Sequence, residues 1–298
     1  MLTEIHFLLT YRCNFECDHC FLYCSPTTSG TFTIQQVEDV LEEALKIGTI
    51  KMIYFEGGEP TLYYPLLLES VRRAHQKGFE VGIVSNAYGA LAEEDAYLWL
   101  DPLAKAGLSV LSVSDDTFHY GDDRENPSVI ARKVGKQLKL NAFPICIDPP
   151  EAIDPVPGEK GQSLIAGGAK FRGRAADKLT EGLPTRPWED LVECPYEDLV
   201  SPSRVHVDSF GNIHICQGIS IGNFWENPFS EIMAEYDPDK HPICGPLNQK
   251  GPAGLIKELG LESETEYVDE CHACYSIRRG LLNEYSDYLT PKQVYGIS

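Results

Sequence analysis

The sequence predicts an α/β fold with a parallel sheet, on three observations. Its first 147 residues alternate strand-like and helix-like segments, its 298 residues can bury one large core or a core with an appendage, and its apolar residues, 43% of the chain, never approach the run of about 18 that a membrane span needs. With 23% charged residues the composition is that of an ordinary globular protein, which excludes collagen-like, disordered and integral membrane classes.

Residues 4–10 form the first strand candidate, a short apolar run. After a cysteine-rich loop, Thr33-Ile34-Gln35-Gln36 has the spacing of a capping box; Val37, Val40, Leu41, Ala44 and Leu45 follow at helical spacing and Gly48 marks the stop. Residues 51–55 read as a buried strand running into Glu56-Gly57-Gly58-Glu59-Pro60. The alternation continues with a helix over 65–77 ended by Gly78, a strand over 79–84 closing on Ser85-Asn86, a helix over 93–106, a strand over 108–113, a helix over 127–138 and a strand over 142–147. Such βα units imply a parallel sheet, open or curled into a barrel, with function in the loops after the strand ends. A proline-rich passage over 148–161 breaks the rhythm before one more strand-like run, 163–166, and a boundary near residue 180 divides the chain into 1–180 and 181–298. Beyond it, residues 204–207 and 212–216 alternate around Asp208-Ser209-Phe210-Gly211, the pattern of a hairpin with glycine in its turn, and residues 229–236 suggest a short helix.

The formal charge of −20 would repel phosphate backbones, and no basic run offsets it, so nucleic acid is not an expected partner. The first residues carry too short an apolar run and an acidic Glu4 where a signal peptide would be basic, which predicts a cytoplasmic chain. In a reducing compartment, ten cysteines point to metal thiolates or catalytic groups rather than disulfides.

Cys13, Cys17 and Cys20 make a CxxxCxxC motif in the loop after the first strand. Three thiolates can hold a [4Fe–4S] cluster with one iron left open, and an open iron is where a substrate or cofactor can chelate and receive an electron. A zinc knuckle completed by His19 or Cys24 is the plain alternative. The motif resembles that of radical S-adenosylmethionine (radical SAM) enzymes, where it follows the first strand of a partial (β/α)6 TIM-like barrel and a GGEP-type string closes the second, as Gly57-Gly58-Glu59-Pro60 does here. The resemblance implies that Cys13, Cys17 and Cys20 hold the cluster, that SAM chelates its open iron, and that the main chain at Gly57, Gly58 and Glu59 lines the methionine amino group. It further implies SAM contacts from Asn86 beside Ser85, from Ser112 and Ser114, from Arg174 in Gly173-Arg174-Ala175, and from His19 near the adenine; plain turn or surface roles are the alternatives.

Cys194, Cys216, Cys244, Cys271 and Cys274 lie in the last third, with Cys216 ending a GxxxxC element and Cys271 and Cys274 forming CxxC. Separate segments stapled around one metal centre are a way to hold a small domain that lacks a core of its own. The arrangement resembles the SPASM/Twitch domains of radical SAM proteins, with Ile221-Gly222-Asn223-Phe224 as the usual continuation, and implies a small C-terminal hairpin and helix domain with one auxiliary [4Fe–4S] cluster on Cys194, Cys216, Cys271 and Cys274. Cys244 is spare or replaces one of the four, and a structural zinc site with four cysteine ligands is the alternative. The seven cysteines of a full two-cluster SPASM domain are not present.

By this resemblance the chain is an oxidoreductase or maturase: a reductant such as flavodoxin or ferredoxin supplies an electron, SAM is cleaved to a 5′-deoxyadenosyl radical, and a hydrogen atom leaves a C–H bond of a peptide, protein or small molecule. Redox-neutral epimerisation or rearrangement is a second reading, with Cys24 and Cys146 as hydrogen-donor candidates, and a non-catalytic metal-stapled binding or electron-transfer module is a third. The start of the cysteine motif at residue 13 leaves no room for a separate peptide-binding domain before it, which weighs against a peptide substrate without removing it.

Overall fold

The computed structural model describes residues 1–123, 125–154 and 164–297. In chain order the elements are β1 (Glu4–Thr10), α1 (Ile34–Ile47), β2 (Met52–Gly57), α2 (Tyr64–Gln76), β3 (Glu80–Ser85), α3 (Glu93–Ala106), β4 (Val110–Ser114), α4 (Thr117–Tyr120), α5 (Pro127–Gln137) and β5 (Asn141–Ile145). The second half follows with β6 (Glu151–Ala152), β7 (Ile165–Ala166), α6 (Arg174–Lys178), β8 (Arg186–Pro187), β9 (Arg204–Asp208), β10 (Asn212–Cys216), β11 (Ile219–Asn223), α7 (Phe229–Glu235), α8 (Cys244–Leu259), β12 (Glu266–Tyr267) and α9 (Glu270–Gly280).

One mostly parallel sheet runs in the order β11-β10-β9-β1-β2-β3-β4-β5. Strands β1 to β5 are parallel in sequence order, as right-handed βα crossovers require. The run at 163–166 does not continue them. Residues 155–163 lie outside the described residues, and β7 pairs antiparallel with β6 apart from the main sheet. A sixth parallel strand comes instead from β9, which sits on the free edge of β1 in the register Glu4↔Arg204 to Leu8↔Asp208. The hairpin thus extends the main sheet rather than forming one of its own, because Val205, Val207 and Ile213 bury in the same core as Ile5 and Phe7.

Side chains alternate across β1. Ile5, Phe7 and Leu9 join the core beneath α1, α2, α3 and α5, with Phe7 packed against Phe32 and Phe55 at ring separations of 5.5 and 5.0 Å. His6 and Leu8 face the opposite, concave side. The capping box is formed, with Gln36 N donating to Thr33 Oγ1 and Thr33 N to Gln36 Oε1, and Gly48 ends α1 at φ 75°. Leu45 falls outside the buried stripe and is exposed.

A second core gathers Leu8, Tyr11, Leu22, Ile215 and residues of α8 and α9 over the end of the sheet. The helix α8 escapes a reading by pattern because Gly245, Pro246, Gly251 and Pro252 read as loop; it kinks at Lys250 and Gly251, whose φ angles are −148° and 56°, and burial holds both halves in place. Among the described residues no helix is long and apolar enough to cross a membrane.

Asp208 ends β9 with no exposure and joins the two cores. It accepts hydrogen bonds from Tyr11 Oη (3.0 Å), Phe210 N (2.9 Å) and Asn212 N (3.0 Å), and meets His214 Nε2 at 3.0 Å. Asp208→Ala leaves several buried donors without an acceptor and should cost about 3–5 kcal/mol, against about 1 kcal/mol for Tyr11→Phe. Thermal unfolding followed anaerobically by circular dichroism checks the ranking; equal midpoints would refute it.

Candidate functional site

The site lies at the carboxyl ends of the parallel strands, where a βα sheet presents its loops. The loop after β1 is fixed first by its own main chain: Tyr11 N donates to Gly30 O and Cys13 N to Ser25 O, at 2.9 and 3.0 Å. The loop after β2 then clamps it, with Gly58 N donating to Thr10 O (2.6 Å) and Glu59 N to Arg12 O (2.9 Å). An added Cβ at Gly58 would stand 2.1 Å from Arg12 O, and one at Gly57, where φ is 125°, would stand 2.4 Å from Thr10 O. The glycines thus admit, in the first place, the backbone of the cysteine loop.

Cys13, Cys17, Cys20 and Cys24 line one pocket with His19, Glu56, Gly57, Gly58, Ser85, Asn86 and Ser114. Asn86 donates from Nδ2 to Cys13 Sγ (3.9 Å) and to Asn14 Oδ1 (2.9 Å), and Phe15 N points at the same sulfur at 3.4 Å. Glu59 is fully buried and turned away from that lining: its carboxylate accepts from Ser85 Oγ, Asn86 N, Thr61 N and Thr61 Oγ1, tying β2 to β3. Burial raises the Glu59 carboxyl, and those donors oppose the rise. Ser112 is buried on β4 below the lining. His19 packs 4.7 Å from the Phe118 ring, and burial pulls its imidazole down to about 4, so it is neutral.

Arg174 is neither exposed nor in the pocket lining. Its guanidinium donates to Cys17 O (2.8 Å) and Cys24 O (2.7 Å), and its N–H to Cys20 O (2.8 Å), while Gly173 at φ 62° passes so close to Phe21 that a Cβ would stand 2.5 Å from its backbone. The cysteine loop is therefore gripped from both sides. Cys146 stands at the end of β5, exposed, with its thiol on Asp115 O at 2.9 Å.

Cys194, Cys216, Cys271 and Cys274 line a second cavity with Arg172 and Arg278. Cys271 and Cys274 sit in the first two turns of α9, capped by Asp269, which accepts from His272 N at 2.7 Å; their spacing puts both on one face. Cys244 is fully buried at the start of α8, outside that lining. Arg172 donates to Cys216 Sγ and to Glu197 Oε1, each at 3.0 Å. Burial works against its charge, and Cys216 and Glu197 outweigh burial.

These donor sets suit iron–sulfur clusters. Burial raises the thiols of Cys13 and Cys17 to about 12 and that of Cys194 to about 11, so thiolates there need a cationic partner.

Sequence reasoning missed Glu56, His119 and Tyr120. Tyr120 donates from Oη to Asn86 O and packs edge-on to Phe15. Glu56 carried a signal, a charged residue on a buried strand. Burial alone would raise its carboxyl, but the charge of His6 and the approach of His206 bring it well below the ordinary range. Gly58→Ala should displace the cysteine loop and lower iron after anaerobic reconstitution by about four per chain; elemental analysis reads it, and full iron content would refute the clamp.

Residues 7–137 match the Radical SAM superfamily. The chain is 28% identical over 111 residues to YydG of Bacillus subtilis (strain 168), a protein named for peptide biosynthesis, covering 37% of this chain and 35% of that one. It is 23% identical over 245 residues to an S-adenosylmethionine-dependent nucleotide dehydratase of Fibrobacter sp. (strain UWH6), covering 80% and 65%. The matched part is thus about a third of the first relative and less than two thirds of the second. Among solved structures, BtrN in complex with AdoMet and 2-DOIA superposes with a TM-score of 0.52 at 16% identity, over 87% of this chain and 90% of that one, a likeness of fold. By its motif, its strand-end site and this family match, residues 7–137 carry a radical SAM domain, whose family uses S-adenosylmethionine and a [4Fe–4S] cluster.

Proposed function

We propose that this chain oxidatively modifies a C–H bond of a peptide, protein or small molecule, with Cys13, Cys17 and Cys20 holding the SAM-binding cluster and Cys194, Cys216, Cys271 and Cys274 an auxiliary one. The observation that carries the reading is the presence of two separate thiol-lined cavities, one at the strand ends and one against α9. Cys13, Cys17 and Cys20 would hold the cluster, which when bound would supply the electron for reductive cleavage of SAM and so the means of hydrogen-atom abstraction from the substrate. This chain's residues do the rest. Gly57, Gly58 and Arg174 fix the loop, Asn86 and Phe15 N direct N–H groups at Cys13 Sγ, and His19, Ser114 and Asn86 line the space beside the thiols for the nucleoside. At the second cavity, Arg172 and Arg278 supply the positive charge that thiolates and an electron require. The proposal includes a reductant such as flavodoxin or ferredoxin and a division of the chain near residue 180, with β9, β10 and β11 of the 181–298 part completing the sheet of the 1–180 part. The name of YydG supports a peptide as substrate.

A second reading has one observation in its favour: Cys24 is buried in the pocket lining and donates toward Cys20, which suits a hydrogen-atom donor and a redox-neutral epimerisation.

Anaerobically reconstituted protein should hold about eight irons per chain, falling to about four when Cys13, Cys17 and Cys20 are changed to Ala. The wild type under reduction should release 5′-deoxyadenosine and the variant none. Zinc in place of iron, or iron unaffected by the triple change, sinks the reading in favour of a metal-stapled module. Once a substrate is in hand, Cys24→Ser tests the second reading: product unchanged from that of the wild type excludes the donor role.

A further inference from the structure

Beneath the pocket, the concave face of the sheet carries a row of rings that register places side by side. Tyr54, His6, His206 and His214 lie opposite one another across β2, β1, β9 and β10. Tyr54 stacks on His6 at 4.7 Å, and His6 and His206 are 5.0 Å apart. One layer nearer the pocket, Glu56 reaches back over this row. His6 Nδ1 stands 3.3 Å and His206 Nε2 3.0 Å from the same oxygen, Glu56 Oε1.

Ion pairing of Glu56 with the two imidazoles accounts for this convergence only in part. His6 is 9% exposed, and its Nδ1 is buried without a hydrogen-bond partner although Glu56 Oε1 is beside it. The other ring nitrogen, Nε2, is engaged by Glu4 Oε2 at 3.3 Å, which turns Nδ1 toward Glu56 and His206. A carboxylate behind a histidine is the arrangement that orients metal-ligating imidazoles. All three donor atoms lie within 4.8 Å of one another. With metal–ligand bonds of about 2.0–2.2 Å, the edges of a tetrahedral or octahedral site are about 3.0–3.5 Å, which matches the two observed separations.

We propose that His6, Glu56 and His206 form a site for a divalent transition ion such as zinc or ferrous iron, beside the first thiol-lined cavity and built without its thiols. Two imidazoles and one carboxylate suit such ions and disfavour calcium or magnesium, which take oxygen. Three protein ligands leave coordination positions open. Glu56 also lines the pocket of Cys13, Cys17 and Cys20, so the ion stands at the wall of that pocket, where it can take a carboxylate, carbonyl or hydroxyl oxygen of a bound molecule. His206 lies 200 positions beyond His6 and meets it and Glu56 only because β9 pairs with β1.

The test uses the full chain with its clusters reconstituted, freed of loose metal and titrated anaerobically with Co(II). About one cobalt per chain should bind with ligand-field bands and no thiolate charge transfer, and His206→Ala and Glu56→Gln should each weaken it at least tenfold while iron per chain is unchanged. The zinc-loaded wild type, which needs no variant to fold, should show only nitrogen and oxygen neighbours at about 2.0–2.1 Å by X-ray absorption. Sulfur in that shell, affinity unchanged in both variants, or no cobalt bound beyond that held by thiols would each overturn the site. None of these readouts involves SAM, so the result is independent of the radical reaction.

Discussion

Between Thr10 and Thr33 the chain has no strand or helix of its own, yet three thiols in this stretch must hold fixed positions. What gives the loop a shape is hydrogen bonding of its carbonyls from outside: Gly58 and Glu59 on one side, Arg174 on the other, reading Thr10, Arg12, Cys17, Cys20 and Cys24. Satisfying buried carbonyls is worth little per bond, but leaving them unmade is costly, so the loop has one arrangement in which its backbone is paired. The glycines and the positive φ of Gly173 are the sites where that pairing requires chain-to-chain contact too close for a side chain.

The same segment joins the two thiol-lined cavities. Two residues before Arg174, Arg172 donates to Cys216 Sγ in the second cavity, and its guanidinium lies 5.8 Å from the ring of Phe21 in the cysteine loop. Alternate residues of one short stretch therefore serve different sites. Each guanidinium is buried, and each is offset by groups that a polar interior otherwise leaves exposed to penalty: carbonyl oxygens for Arg174, a carboxylate and a sulfur for Arg172.

What the sequence disclosed is local. Thr33, Gln36 and Gly48 announce α1 because caps act within one turn, and the strands to β5 announce themselves by apolar runs punctuated by glycine. The cysteine motifs and GGEP string were legible because their spacing is short. Pairing of distant segments was not: nothing in residues 204–208 says they lie beside 4–8, and so nothing shows that His206 meets His6 and Glu56. Arg174 was visible as a residue, while its target was not, since a guanidinium serves carbonyls, carboxylates or ligands equally well. The helix α8 was hidden by glycines and prolines whose cost burial offsets.

The pairing of β9 with β1 also sets an order of events during synthesis. Two hundred residues separate the partners, so at ribosomal speeds β1 waits on the order of tens of seconds before the strand that covers its outer edge exists. An uncovered edge invites pairing with other chains, and contacts closed over so long a stretch of sequence form late. Arg174 emerges only some 30 residues before β9, so the cysteine loop waits almost as long for its second grip. Closure of the outer edge of β1 and the second grip on the cysteine loop thus fall in the same late window.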